Sequence, residues 1–133
     1  MNAVGTALWN TLAQHSGLIA ALGGTAIWFG VVPRDKALPG VVISLASGFE
    51  ENLTPTRSVN MIYQVRAVAE TLLQAGQIAE QIDAALHGVT LATASWGNFW
   101  TAREAAVSYL EVDPAGHTFG HAGGEYRIRI AAA

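Results

Sequence analysis

The sequence predicts an α+β fold: a mainly antiparallel sheet of about four to five strands, one central helix packed on it, and an N-terminal helix adding cover. Three observations carry this. Val59, Met61, Tyr63, Val65 and Ala67 alternate with Asn60, Gln64 and Arg66, the period of a half-buried strand. Directly after them Leu72, Ala75, Ala79, Ile82 and Leu86 recur at helical spacing up to His87-Gly88, marking a buried stripe. Near the end, Asp113-Pro-Ala-Gly116 places the preferred residues of a type I turn in order, and two strands flanking such a turn make a hairpin.

The elements follow in chain order. Val4, Leu8, Leu12 and Ile19, with Ala7 and Leu22 beside them, trace one helical face. Gly17 divides this region into a helix near Asn2–His15 and a short one capped by Ser16, and Gly23-Gly24 ends it. Thr25–Val32 is β-branched and aromatic and reads as a strand. Pro33-Arg-Asp-Lys turns the chain, and Gly40–Ser47 is a second strand. Gly48–Pro55 reads as a polar loop carrying Phe49, Glu50 and Glu51. After the alternating third strand, Thr71 and Gln74 form a capping box for the helix from Thr71 to His87.

From Trp96 to Val112 the pattern fits two structures. Phe99, Ala102, Ala106 and Leu110 have helical spacing, while Val107, Tyr109 and the aromatics suit a strand. The downstream turn favours the strand. Tyr126, Ile128 and Ile130 then alternate with Glu125, Arg127 and Arg129 on the return. Arg127 and Arg129 are expected to pair across strands with Glu104 or Glu111, and Gly123-Gly124 predicts a bulge or a close backbone approach. Leu72, Ala79, Ile82, Leu86, Val59, Met61 and Val65 are the expected core.

With 133 residues and no repeat or linker, residues 1–133 are expected to form one domain. The chain has no cysteine, so disulfides and thiolate zinc sites are excluded. A net charge of -3 argues against a general nucleic-acid binder. Charged residues make up 13% of the chain, about half the usual ~25%. A surface so poor in charge points to oligomerisation. The most apolar window, Gly17 to Val32, is shorter than the ~20 residues of a spanning helix, and no basic start marks a signal peptide. These features predict a soluble protein made in the cytoplasm, with no membrane segment.

Catalytic and metal chemistry find little footing. His117 and His121 are four residues apart, but they follow a turn among glycines and lack the second ligand pair of a structural zinc site. There is no G-x-S-x-G elbow, H-E-x-x-H or P-loop pattern. Glu50 and Glu51 are adjacent and point to opposite sides of an extended chain, which suits a solvated loop better than paired-carboxylate catalysis. No enzyme activity, cofactor or metal is expected, and Asp113–Ile130 reads as a hairpin.

The order of pieces nonetheless has a known likeness. A helix ending in L-G-G precedes a short strand and L-P-G-V-V-I-S; Y-Q-V-R-A-V-A leads into I-A-E-Q-I-D-A-A-L-H-G; R-E-A-A-V-S-Y-L-E-V-D, a turn and H-A-G-G-E-Y-R-I-R-I close the chain. This resembles the tail-terminator or tail-completion proteins of long-tailed phages, prophages and gene-transfer particles. Arg103, Tyr109, Glu111, His121, Gly123, Gly124 and Tyr126 match that family's final hairpin in kind and order. The resemblance implies a structural virion protein at the head–tail junction, assembled in the host cytoplasm. It implies a homo-oligomeric ring, usually a hexamer, that caps the tail tube and joins it to the head connector. Genome DNA would pass through its lumen without specific binding. Phe49, Glu50, Glu51, Asp113, His117 and His121, in the segments Gly48–Pro55 and Asp113–Gly124, are the candidate contacts or lumen lining. The rival readings are a head–tail adaptor, a tail-tube subunit, or a small-molecule-binding α+β domain walled by Trp28, Trp96 or Trp100.

Overall fold

The computed structural model describes residues 2–53, 56–91 and 96–132. In order these form α1 (Asn2–Ala13), α2 (Ser16–Leu22), β1 (Ile27–Phe29), β2 (Gly40–Leu53), β3 (Thr56–Ala69), α3 (Leu72–Leu86), β4 (Trp96–Val112) and β5 (Thr118–Ala132). The strands make one sheet in the order β1-β2-β3-β5-β4. Only β1 against β2 is parallel; the other pairings are antiparallel. The class is α+β, as the sequence predicts, and the ambiguous segment after Trp96 is strand.

All three helices cover one face of this sheet. Alternation supplies that face with Val41 and Ile43 of β2, Val59 to Ala69 at odd positions of β3, and Ala122, Tyr126, Ile128 and Ile130 of β5. Val4, Ala7, Leu8 and Leu12 of α1, Leu18 and Leu22 of α2, and Ala75, Ile78, Ile82, Ala85 and Leu86 of α3 close over it. Burying this apolar surface is the main stabilising contribution, about 1.5–3 kcal/mol for each large aliphatic or aromatic side chain.

The α3 stripe is rotated from the expected one. Ile78 and Ala85 are buried, Ala79 is only partly buried, and Leu72 is exposed. The cause lies beneath the first turn. The backbone of Thr71 and Leu72 rests directly on Gly120 of β5, where even a Cβ would meet Leu72 Cα at 2.5 Å. No side chain can enter between helix and sheet there. Thr71 caps the helix as expected, its hydroxyl accepting from the Gln74 amide at 3.1 Å.

Three further expectations are corrected. The cap of α2 is His15, not Ser16: its Nδ1 accepts from the Leu18 amide at 3.3 Å. The strand expected over Thr25–Val32 shortens to Ile27–Phe29, because Gly30 turns away at φ 82°. The expected loop Gly48–Pro55 is mostly strand. β2 continues through Glu50 opposite Val59 and Glu51 opposite Ser58 to Leu53 opposite Thr56; residues 54–55 lie outside the described part. A bulge between Leu45 and Ser47 shifts the alternation there, which hides the strand's continuity in sequence.

Candidate functional site

The two antiparallel hairpins end at opposite ends of the sheet. In the β3–β5 register Ser58 faces Ala131 and Ala69 faces Gly120. The Leu53–Thr56 end of the β2–β3 pair therefore lies at the C-terminal end of β5, while the Asp113–His117 turn projects beyond the end of β3. The 14 residues of β3 separate these ends by about 40 Å at ~3.3 Å per residue. β4 lies outermost, a 17-residue strand paired on one side only. Trp100, Tyr109, Leu110 and Val112 are exposed along it. Arg127 spans β5 and β4 in a two-pronged contact with Glu104, Nε donating to Oε1 at 2.5 Å and Nη2 to Oε2 at 2.9 Å, one of the expected pairings.

Asp113 organises its turn rather than reaching outward. Its Oδ1 accepts from the amides of Ala115 and His117, both at 2.9 Å, and its Oδ2 lies 3.3 Å from His117 Nδ1. The His117 amide, first among these, holds the Asp113 carboxyl below the usual aspartate range. Gly116, at φ 88°, takes the left-handed position that the turn requires. His117 is largely exposed beside it.

His121 is not a loop residue. It sits in β5, 4% exposed, on the sheet face away from the helices. Arg66 Nε donates to its Nδ1 at 3.2 Å, so that nitrogen carries a lone pair, and Nε2–H donates to Glu111 Oε1 at 2.7 Å. Tyr109 stacks on the ring with centroids 4.4 Å apart and planes 9° from parallel. Arg66 also donates to Gln64 at 3.1 Å. Both ring nitrogens are engaged, which leaves none to bind a metal without breaking this network. Among the described residues no group of three His, Cys, Asp or Glu is placed to hold an ion.

The β4–β5 register brings Tyr109 opposite His121 and Glu111 opposite Phe119, so half of this cluster follows from the turn. Arg66 joins it from β3, 55 positions away, and no sequence signal marks that approach. The segment after β1 then folds over the same face. It borders an open cleft of about 620 Å³ lined by Val31, Arg34, Lys36, Leu38, Arg66 and Phe119, among others.

On the helical side Tyr126, 1% exposed, donates from its hydroxyl to Asp83 of α3 at 3.0 Å. Burial first, then the Asp83 charge, pushes the Tyr126 hydroxyl well above its ordinary value. Arg103 of β4 lies 3.6 Å from the same carboxylate. This group ties α3 to the final hairpin, using two of the residues shared with the resembled family.

The strand order puts Trp28 and Trp100 on opposite edges of the sheet, so they do not wall one pocket. The side chains of Phe49, Glu50, Glu51 and Trp96 lie outside the described part. No helix among the described residues is long and apolar enough to cross a membrane.

Comparison with known proteins agrees with this architecture. A family model described as tail completion protein gp17 matches residues 6–131. No curated protein matches the sequence. Among solved structures, a chain from the virion of a native gene transfer agent particle superposes with a TM-score of 0.75. It is 16% identical, and the match covers 98% of this chain and 96% of that one. At that identity the likeness is one of fold.

Proposed function

Because this chain belongs to the tail completion protein gp17 family, we propose that it forms a closed ring, most simply a hexamer, capping the finished tail tube and receiving the head connector. It is a structural protein of a phage-like tail and a component of the virion; the position at the head–tail junction, the ring and its partners are the proposal. The observation that carries it is the placement of two hairpin ends at opposite ends of one sheet. A tube grown by stacking recreates the same open end with every addition and has no stopping point of its own. A terminator must match that end with one surface and offer a different surface outward. Two chemically distinct ends about 40 Å apart suit that task without a reaction or a cofactor.

The long unpaired edge of β4 supports the ring. An exposed edge of this length invites pairing and is normally covered, and apolar residues lie along it. A neighbouring subunit supplies the cover, and genome DNA passes through the closed lumen without base-specific contacts. Electron microscopy of the purified protein tests this reading. Closed rings of uniform size are expected; open filaments mean a tube subunit, and stable monomers on finished tails contradict the ring.

A further inference from the structure

We propose that the outer edge of β4 pairs with the uncovered stretch of β2, residues 44–53, of the next subunit, so that one antiparallel sheet runs around the ring. The inference rests on the ring reading and names its lateral contact.

Each subunit carries two free sheet edges. β1 lies beside β2 only from Val41 to Ile43, and the chain leaves the sheet after the Gly30 amide bonds to the Ile43 carbonyl at 3.0 Å. Among the described residues no strand lies beyond residues 44–53 of β2 or beyond β4. Exposed large apolar side chains gather at these edges: Phe29, Val31 and Leu45 at one, Trp100, Leu110 and Val112 at the other. Beside the free stretch of β2, Gly5, Phe29, Leu45 and Tyr63 line an open groove of about 490 Å³. Apolar patches of this kind mark contact surfaces.

The strand directions fit the pairing. Three antiparallel steps separate β2 from β4, so the two run in opposite directions. A rotation about an axis along the strands preserves those directions, and β4 then meets the neighbour's β2 as an antiparallel ladder. Such a contact joins two different surfaces of identical chains and generates a ring when the rotation closes.

The levels along the sheet fit as well. The registers set Ser47 level with Ala102, by way of Ile62 and Arg127. β1 ends at Phe29, level with Ala106 by way of Ile43, Val65 and Gly124, and β4 has a bulge between Arg103 and Ala105. A strand bends at a bulge, so residues 96–103 can close on β2 while residues 105–112 pass β1. Charge does not oppose the contact. Glu50 and Glu51 come level with Asn98 and Gly97, and Arg103, Glu104 and Glu111 of β4 each have an ionic partner within their own subunit. A contact along the 17 residues of β4 is about 55 Å long and, at a depth of ~10 Å, covers roughly 1,100 Å² over the two subunits, enough for a specific interface. Both hairpin ends stay free, as capping a tube requires. Pairing β4 with a second β4 fits worse, since it inverts one subunit and leaves the β2 edge bare.

The chain contains no cysteine, so introduced pairs crosslink cleanly. Full-length Ser47→Cys and Ala102→Cys proteins, differently tagged, are mixed under mild oxidation; both positions stand on the sheet face away from the helices. The expected product is a mixed dimer, severalfold above that of a control pairing Ser47→Cys with Glu80→Cys on α3. Leu45→Lys changes an exposed site and should reduce rings to monomers with an unchanged circular dichroism spectrum. Mixed-dimer yields equal to the control, or rings that persist with Leu45→Lys, overturn the proposal. Self-crosslinking of Ala102→Cys alone also overturns it, since that reports β4 paired with β4. Rings seen by microscopy without the crosslink refute this contact alone, whereas filaments with the crosslink refute the ring alone.

Discussion

Replacing Gly123 by alanine tests the packing of the central strands most sharply. A Cβ there falls inside the contact distance of the Val65 carbonyl oxygen and lies 2.5 Å from Arg66 Cα. Both neighbours are backbone of β3, which β2 holds from the other side, so neither can swing aside. Reaching ordinary contact requires β3 and β5 to part locally by about 1 Å, stretching ladder hydrogen bonds, and such overpacking costs about 3 kcal/mol. For 133 residues at ~2.1 cal/mol/K each, the unfolding entropy is ~0.28 kcal/mol per degree, so Tm should fall by about 10 °C. Gly76 is the matched control: it lies within α3, and a Cβ added there meets nothing within 4 Å. Alanine at that position should stabilise by about 0.5–1 kcal/mol, raising Tm by about 2–4 °C. Circular dichroism melts at one fixed protein concentration read both. A Gly123→Ala protein melting within a degree of wild type, or a Gly76→Ala protein falling as far, would refute the spacing argument.

Other outcomes follow from the same contacts. Ile82→Asp buries a carboxylate at a fully covered site of α3 and should cost several kcal/mol; an unchanged melting temperature contradicts the assigned helix face. Tyr126→Phe removes the hydroxyl that donates to Asp83 and should cost about 1 kcal/mol, read as a lower urea midpoint at constant slope. The Asp113 carboxyl is depressed in the folded protein, so its charged form favours the folded turn. That contribution is present above the unfolded value near 3.8 and is lost as pH falls through the lower folded value. An NMR titration should place Asp113 below 3.8; a midpoint at or above it contradicts the turn geometry.

What the sequence reveals depends on how far apart the interacting residues lie. The Asp113–Gly116 turn fixes the final hairpin and puts Tyr109 and Glu111 beside His121, all within a dozen positions. The close approach at Gly123 is one of the two outcomes, bulge or close approach, that a glycine pair inside a strand announces. Arg66 reads only as an outward-facing polar residue of an alternating strand, and its bond to His121 depends on tertiary register. The length of β2 is obscured by its bulge and by two glutamates, which look like loop until the partner strand is known. Leu72 shows a third limit: apolar spacing marks it as core, but the glycine beneath it brings the backbone too close. The cleft beside the 31–38 segment is assembled from several distant stretches, and no single stretch announces it.

The central claim is that this protein ends tail growth and supplies the surface to which the head attaches. Particles made without it provide the most direct measurement, by electron microscopy of lysates with the length of each tail recorded. The account predicts filled heads lying separate from tails, and tails of abnormal or irregular length. Tails of normal length joined to heads in its absence would contradict it.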